Sequence, residues 1–265
     1  MSERQAQAVE RVRTDDKHGA SWLAREAVEA VAEVLELGED PVPLARQLVR
    51  ARPAMGAIPG ALGRILAAGR TPEQMAEEAR ALMEGRERAT RSIAVLLQPY
   101  IGGVVMTHSA SATVREALLH TPPDRVVCTV SEPGGEGREL ADELTAADLT
   151  VEVVDDSDAA HAVGTVDRLL VGADTVFRDG ALVNKVGTSD LARTAKETGR
   201  PVIVACEVIK VAPVDARDPG ETRFDLTSPE HIDRFVTEEG VFAPEEIPAL
   251  VDRTPFLRDG YALFD

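Results

Sequence analysis

Three loops of the chain carry polar side chains that could bind or transform a ligand, and each follows a short apolar run. The first loop is "THSAS", which offers the hydroxyl groups of Thr107, Ser109 and Ser111. The other two are "SEPGGEGREL" and "GADTVFRDGALVNKVGTSDL". Small hydroxyl residues and glycines in front of a helix are the ingredients of an anion pocket, because the first amides of a helix are free to bind a negative group.

The third loop is the richest in candidate groups. Asp174 stands directly after an apolar run, and Asn184-Lys185 leads into Gly187-Thr188, which has the form of a helix start with Thr188 as its cap. A lysine beside a helix N-terminus can hold an anion, because free amides and positive charge converge there. In the alternative interpretation Asp174 is a turn residue and Lys185 a surface cation, and spacing alone leaves both open.

Other signals in these loops are weaker. The glycines of "PGGEG" favour a plain strand-to-helix turn, since the pattern G-x-G-x-x-G is absent. No His and Asp partners that would make Ser109 a nucleophile can be identified from the sequence. The five histidines show no metal-ligand spacing, and His108 and His161 are more typical of structural histidines. The sequence therefore predicts neither a metal nor a cofactor.

The elements that must position these loops change in character near residue 99. Residues 1–98 have helical spacing, with Ser21 as the cap of "SWLAREAVEAVAEVLEL" and Pro72 in the first turn of a long helix. Beyond them, short apolar runs alternate with helical segments. The candidate strands are 101–107, 125–130, 150–154, 168–173 and 201–205, and the candidate helices between them are 111–120, 136–147, 157–163 and 188–198.

Continuous apolar strands separated by helices indicate a parallel sheet covered on both faces. We therefore predict an α/β fold, with a helical N-terminal domain (1–98) followed by a Rossmann-like parallel-sheet domain (99–265). Ligands of such sheets bind beyond the carboxyl ends of the strands, and the three polar loops lie there.

The composition limits the classes of partner. The formal charge of −17 argues against broad binding to nucleic acid or to anionic membranes. The acid excess suggests a salty cytoplasm, and a GC-rich genome is the alternative explanation for the preference for arginine over lysine. Cys128 and Cys206 each lie in an apolar run and are expected to be buried. With no long apolar stretch and no signal-peptide core, we expect a cytoplasmic protein.

Taken together, these segments resemble a superfamily that contains the alpha, beta and delta subunits of translation initiation factor 2B. It also contains the isomerases of methylthioribose-1-phosphate and ribose-1,5-bisphosphate. The matching text is "VVMTHSAS", "PGGEG", "VVDDSDAA", "LVGADTVFRDGALVNKVGT" and "FDLTSPEHIDRFVTEEG". The resemblance covers about residues 14–245 and is most specific over 171–188. It implies the same two-domain fold and a homodimer or higher homo-oligomer.

The isomerases of this superfamily pair a cysteine after the Thr-His motif with the aspartate of the Gly-Ala-Asp motif. Here the aspartate is Asp174, but the cysteine position holds Ser109, whose hydroxyl exchanges protons far less readily than a thiol near neutral pH. Their phosphate-binding Arg-Gly-Ala motif is replaced by His18-Gly19-Ala20. Glu132 stands where they have an arginine. Losing two cations should weaken phosphate binding.

These departures lead to our main expectation, a non-catalytic, initiation factor 2B-like binding or regulatory protein with a vestigial or effector-binding sugar-phosphate pocket. Its expected partners are itself and a translation factor. The ligand would be a small phosphorylated molecule. The candidate contacts in the pocket are His18, Gly19, Ala20, Arg52, Thr107, Ser109, Ser111, Glu136, Gly137, Asn184 and Lys185.

The alternative is an aldose–ketose sugar-phosphate isomerase of the ribose-1,5-bisphosphate or methylthioribose-1-phosphate type. It would use Asp174 with another group in place of the cysteine, and Lys185, Arg52 or His18 would hold phosphate. Arg52 would reach the cleft from an exposed helix end, although a simple helix-terminal charge is the preferred interpretation of that residue. A third interpretation is a sensor of nucleotides or nucleoside phosphates.

Overall fold

A computed structural model describes residues 2–264 of the chain. Helices dominate the first hundred residues, and alternating strands and helices follow, so the predicted α/β fold is confirmed. The helices are α1 (Glu3–Thr14), α2 (Ala20–Glu36), α3 (Val42–Ala51), α4 (Ala57–Ala67), α5 (Pro72–Leu97), α6 (Ala112–His120), α7 (Glu136–Ala146), α8 (Ala159–Val163), α9 (Thr188–Glu197), α10 (Ile247–Arg253) and α11 (Pro255–Tyr261).

Eleven strands form two sheets within residues 2–264. The strands are β1 (Val104–Thr107), β2 (Arg125–Thr129), β3 (Val151–Val154), β4 (Arg168–Val171), β5 (Thr175–Phe177), β6 (Leu182–Lys185), β7 (Val202–Ala205), β8 (Val211–Ala212), β9 (Phe224–Thr227), β10 (Arg234–Thr237) and β11 (Gly240–Phe242). The larger sheet has the order β11-β10-β7-β4-β1-β2-β3. Its pairs are parallel except for β10 with β11.

The five predicted strands correspond to β1, β2, β3, β4 and β7, which form the centre and one edge of the larger sheet. The sequence did not predict the smaller sheet, which has the order β8-β5-β6-β9. Its hairpin of β5 and β6 turns at Gly180, whose φ of 82° lies in the left-handed region. This hairpin lies within the loop 172–191 and places Asn184 and Lys185 on a strand instead of in a loop.

The start of α5 agrees with the sequence prediction, and the start of α2 does not. Thr71 and Gln74 form a capping box before Pro72 at the start of α5, as the position of the proline predicts. Helix α2, however, begins at Ala20, and the expectation that Ser21 caps it is wrong. The Ser21 hydroxyl donates instead to Glu207 (3.2 Å), so the start of α2 lies against the carboxyl end of β7.

Helix α4 joins the helical part to the sheet through close backbone contacts. A Cβ atom on Gly60 would lie 1.8 Å from the Ile209 carbonyl oxygen, and one on Gly63 would lie 2.9 Å from the backbone of Gly260 in α11. The apolar core of α1–α5 accordingly takes in Ile209 and the partly buried Phe256. The division at residues 98 and 99 remains a prediction.

Both cysteines are buried free thiols, as expected, and burial raises the pKa of Cys128 and of Cys206 to about 12. Across residues 2–264 the structure holds no group of three or more His, Cys, Asp or Glu side chains that could bind a metal ion. None of the helices in that range is both long enough and apolar enough to cross a membrane.

Candidate active site

The carboxyl ends of the adjacent strands β4, β1 and β2 bring three of the candidate side chains together. Asp174 follows β4, Ser109 follows β1, and Glu136 begins α7 after β2. The Ser109 hydroxyl donates to Glu136 Oε1 (3.1 Å), and the Glu136 carboxylate is close enough to Asp174 to influence its ionisation. Two carboxyl groups and a hydroxyl therefore lie at the edge of the sheet where ligands of parallel sheets bind.

Two backbone hydrogen bonds hold Asp174 in place, and the pKa of its side chain is raised. Its N–H donates to Val183 (3.0 Å), and its carbonyl accepts from the Gly56 amide (3.1 Å) just before α4. Burial raises the pKa of the half-buried carboxyl to about 6; nearby Lys210 acts against the shift, and Glu136 adds to it. A carboxyl group that titrates near neutral pH can both give and take protons under working conditions.

Lys185 is buried and already has anionic and carbonyl partners. Its ammonium lies 2.7 Å from Glu136 Oε1 and also donates to the Pro133 carbonyl. The neighbouring Asn184 side chain donates to Thr188 Oγ1 (3.1 Å). Lys185 therefore neutralises Glu136 and ties the loop before α7 to the smaller sheet.

The expected anion site at the start of α9 is occupied by the protein itself. Asp225 accepts from the amides of Gly187 (2.7 Å) and Ser189 (3.1 Å), so a carboxylate already caps the helix. Thr188 is the first residue of α9 and donates its hydroxyl to the Lys185 carbonyl (2.6 Å), so the prediction that it caps the helix is wrong. The spacing correctly indicates a helix start, but the cap comes from a distant strand.

A chain of hydrogen bonds from the Ser109 amide to His108 holds Ser109 in place. The Ser109 amide donates to Ser131 Oγ (2.7 Å), which bonds Thr129 Oγ1 (2.7 Å), which in turn bonds His108 Nδ1 (2.7 Å). The Val186 carbonyl can only accept, so His108 Nε2 must donate to it (2.8 Å). Burial lowers the pKa of His108, and both of its ring nitrogens bond protein partners, as in a structural histidine.

That support holds Ser109 in an uncommon backbone conformation. Its φ is 66°, in the left-handed region that non-glycine residues rarely adopt. Such strain persists only where surrounding contacts impose it, and it concentrates at functional sites. The hydroxyl of Ser109 is thus aimed at Glu136 by the fold of the loop.

Arg52 is buried, which corrects the expectation that it lies at an exposed helix end. Its guanidinium donates to the carbonyls of Val12 (3.1 Å) and Asp15. It also lies 3.7 Å from Asp16 and 3.5 Å from Glu221. A side chain held in this way links α1, α3 and the segment before β9, because its planar donors match several acceptors at once.

The candidates at the start of α2 are more open. His18 is 45% exposed at its side chain, stacks on Trp22 with 3.9 Å between ring centroids, and bonds Asp15 through Nδ1 (2.8 Å). Gly19 is the N-cap residue of α2, and no side chain caps the helix there. Ala20, the first residue of the helix, is buried. The first amides of α2 are consequently available to an anion.

Three further candidates have evident structural contacts. Ser111 caps α6 by accepting from the Val114 amide (3.3 Å). Gly137 lets α7 approach β2, since a Cβ atom there would lie 1.9 Å from the Thr129 carbonyl oxygen. Thr107 is buried at the end of β1, and its hydroxyl has no hydrogen-bond partner among residues 2–264.

Sequence reasoning missed Lys210 as a site residue. This buried lysine follows β7, donates to the Ala173 carbonyl (2.7 Å) and is the main charge that opposes the raised pKa of Asp174. Its signal was present, because Lys210 is one of only four lysines in the chain and adjoins the apolar run "VIVACEVI". A lysine in so apolar a setting is seldom buried without a partner.

A groove of about 1070 Å³ lies between helices α2, α4 and α5 and the carboxyl ends of β7 and β10, and none of Ser109, Glu136, Asp174 and Lys185 lines it. Glu207 and Glu238 lie on its inner wall, and the Val208 amide donates to Glu238 (2.9 Å). Burial raises the pKa of Glu238 to about 7, and the charge of Glu207 adds to the shift.

This raised pKa predicts a pH-dependent stability difference. Between pH 4.5 and about 7, folded Glu238 keeps a proton that the unfolded chain releases, so the free energy of unfolding falls as pH rises. Glu238→Gln should therefore be more stable relative to wild type at pH 8 than at pH 5, as measured by urea unfolding. Glu139→Gln, at an exposed glutamate of α7, is the control, and an equal difference at both pH values for Glu238→Gln would contradict the prediction.

Comparison with known proteins relates this site to two groups. Ribose 1,5-bisphosphate isomerase of Archaeoglobus fulgidus is 29% identical to the chain, with 90% of each protein covered. The protein of the same name from Haloterrigena turkmenica is 29% identical, with 88% of each covered. The crystal structure of translation initiation factor eIF-2B from Pyrococcus horikoshii OT3 matches with a TM-score of 0.83 and 28% identity, covering 92% of this chain and 98% of that one.

The expectation of a non-catalytic protein is wrong, because relatives aligned along almost the whole chain carry the name of an isomerase. That expectation rested on three departures together: Ser109 at the cysteine position, and His18 and Glu132 at positions that hold cations in the isomerases. The structure keeps the Asp174 carboxyl just beyond β4, with its pKa raised to about 6, and places Glu136 in contact with Ser109, so position 109 has an ionisable neighbour.

The family assignment rests on a match that includes the loops and side chains of the candidate active site. The model of the Initiation factor 2 subunit family matches residues 16–219. This range contains the loops after β1, β2 and β4, the hairpin of β5 and β6, and Lys210. The resemblance seen in the sequence motifs is therefore confirmed, and the chain belongs to the Initiation factor 2 subunit family.

Proposed function

We propose that the protein is an aldose–ketose isomerase of a sugar phosphate, of the ribose 1,5-bisphosphate type. The observation that carries this proposal is the half-buried Asp174 carboxyl, whose pKa is raised to about 6 at the carboxyl end of β4. The names of the relatives from Archaeoglobus fulgidus and Haloterrigena turkmenica support the substrate type.

Opening and isomerising a furanose 1-phosphate requires four proton movements. The ring oxygen gains a proton as its bond to C1 breaks, C2 loses a proton, the C2 hydroxyl loses a proton, and C1 gains one. We assign the ring oxygen and the C2 hydroxyl to Asp174, which gives a proton to the first and takes one from the second. A pKa near the working pH suits this double role.

The proposed phosphate contacts come from two places. The free first amides of α2 at Gly19 and Ala20 offer donors without a competing side-chain cap, and His18 lies beside them. Lys210 supplies a buried positive charge near Asp174. Lys185 and Arg52 are less suited to this task, because protein carboxylates already lie against them.

The direct test is to incubate the purified protein with ribose 1,5-bisphosphate and to follow ketose formation by NMR, with methylthioribose-1-phosphate in parallel. We expect turnover above about 1 per second for one of the two substrates. Absence of ketose at high protein concentration, with folding verified by circular dichroism, would contradict the proposal.

We also propose that the protein assembles as a homo-oligomer, following the resemblance to the initiation factor subunits. Light scattering coupled to size-exclusion chromatography measures the assembled mass directly. A monomer at micromolar concentration would contradict this proposal and would leave the isomerase proposal untouched.

A further inference from the structure

We propose that Glu136 is the base that moves the carbon-bound proton of the substrate, in the place that a cysteine thiol takes in related isomerases. This inference rests on the proposed isomerase function and deepens it. It assigns the missing partner of Asp174 from the contacts of Glu136, Ser109 and Lys185.

The position of Glu136 fits a proton-transfer group. Its side chain is 26% exposed, whereas the side chain of its ion-pair partner Lys185 is only 7% exposed. Both protein contacts fall on Oε1, from Lys185 Nζ (2.7 Å) and Ser109 Oγ (3.1 Å). The other oxygen, Oε2, lies close to Gly134, where a Cβ atom would stand 2.7 Å from it.

The charges around the two carboxyl groups suit Glu136 to accept a proton and Asp174 to give one. The ammonium of Lys185 forms an ion pair with Glu136, and the carboxylate is the form of Glu136 that accepts a proton. The negative charge of Glu136 in turn contributes to the raised pKa of Asp174, which can then hold a proton to give. Two carboxyl groups whose environments differ in this way are a recognised basis for one acid and one base in a single site.

The proposed reaction conserves protons and electron pairs. Asp174 protonates the ring oxygen as the C1–O bond breaks and a lone pair on the phosphate-bearing oxygen forms a double bond to C1. Glu136 removes the C2 proton; the C–H pair becomes the C1–C2 double bond, and the C1–O double-bond pair returns to oxygen. Asp174 then takes the C2 hydroxyl proton, C2 becomes a carbonyl, and the C1–C2 double-bond pair accepts the proton of Glu136 at C1.

Ser109 is a positioning residue in this scheme. Its hydroxyl donates to Glu136 Oε1, and the strained φ of 66° aims it there with the amide held by Ser131. A thiol at this position would itself titrate near neutral pH, whereas a serine hydroxyl stays protonated and serves as a donor. Serine at position 109 is thus consistent with a site whose base is a carboxylate.

The first test is Glu136→Gln, assayed with ribose 1,5-bisphosphate. We expect kcat to fall by about 10²- to 10³-fold with KM changed by less than about threefold, because the amide keeps the shape of the side chain but cannot accept the proton. Glu139→Gln is the matched control, since it makes the same change at an exposed position of the same helix, and it should keep at least half of the activity.

The second test separates catalysis from support. In the double variant Ser109→Cys/Glu136→Gln, a thiol replaces the lost base, and we expect kcat to recover at least tenfold from the single variant. Were Glu136 only a partner of Lys185, the thiol could not restore that ion pair. Glu136→Gln with more than half of wild-type kcat, or a folded double variant without recovery, overturns the inference.

These outcomes are distinguishable from failure of the proposed function. Wild-type activity that survives Glu136→Gln but not Asp174→Asn overturns only the role of Glu136. A wild-type protein that turns over neither ribose 1,5-bisphosphate nor methylthioribose-1-phosphate overturns both proposals together.

Discussion

Asp174→Asn should lower kcat for isomerisation by about 10³-fold or more. An asparagine amide can neither protonate the ring oxygen nor accept a proton from the C2 hydroxyl, and general acid–base groups contribute typically 10²- to 10⁴-fold each. The change also removes the group whose pKa of about 6 should make the wild-type rate decline as pH rises beyond that value. Initial rates from pH 5 to pH 9 measure both effects.

The fold should survive this substitution, which makes the activity loss interpretable. The backbone bonds of Asp174 to Val183 and Gly56 do not involve its side chain. Burial disfavours the charged carboxylate, so the neutral amide should leave the melting temperature at pH 8 unchanged or raise it. Retention of more than a tenth of the wild-type kcat would remove Asp174 from the mechanism.

Gly60→Ala should strongly destabilise the fold although it adds only one methyl group. Its Cβ atom would lie 1.8 Å from the Ile209 carbonyl oxygen, and backbone on both sides leaves no side chain that could rotate away. We expect a loss of about 3 kcal/mol or more, at the upper end of overpacking effects, and a fall in melting temperature of roughly 6 °C or more. Calorimetry checks the value.

Gly85→Ala is the matched control, because Gly85 also lies inside a helix. A Cβ atom there would meet only the end of the Arg88 side chain, at 3.8 Å. Replacing glycine by alanine in an open helical position should stabilise the protein by up to about 1 kcal/mol. If Gly60→Ala proved as stable as Gly85→Ala, α4 would not pack against Ile209 as described.

The central strands could be predicted because each is a continuous apolar run buried on both faces of the larger sheet. The smaller sheet could not be predicted, because its strands have two to four residues and carry polar side chains at buried positions. Asn184 and Lys185 are buried on β6, and Asp225 lies on β9. Such strands are specified by long-range pairing and by side-chain partners, which leave no periodic signal in a short window.

Part of the candidate site could be predicted from the positions at which the strands end. Residues such as Asp174 and Ser109 directly follow strands, and the carboxyl ends of parallel strands meet. Contacts from distant segments could not be read in this way. The cap that Asp225 gives to α9 depends on the position of β9, and the ion pair of Arg52 with Glu221 depends on the segment before β9.

The contact between α4 and α11 has a consequence for how the protein is made. Helix α4 packs against α11 through Gly63 and Gly260, and Phe256 packs against the core of the helical part. Ribosomes release the chain in order, so the residues of α4 emerge long before the segment that covers them. The core among α1–α5 is built mostly from early residues, but the face of α4 around Gly63 has no cover until α11 has been synthesised and can pack against it.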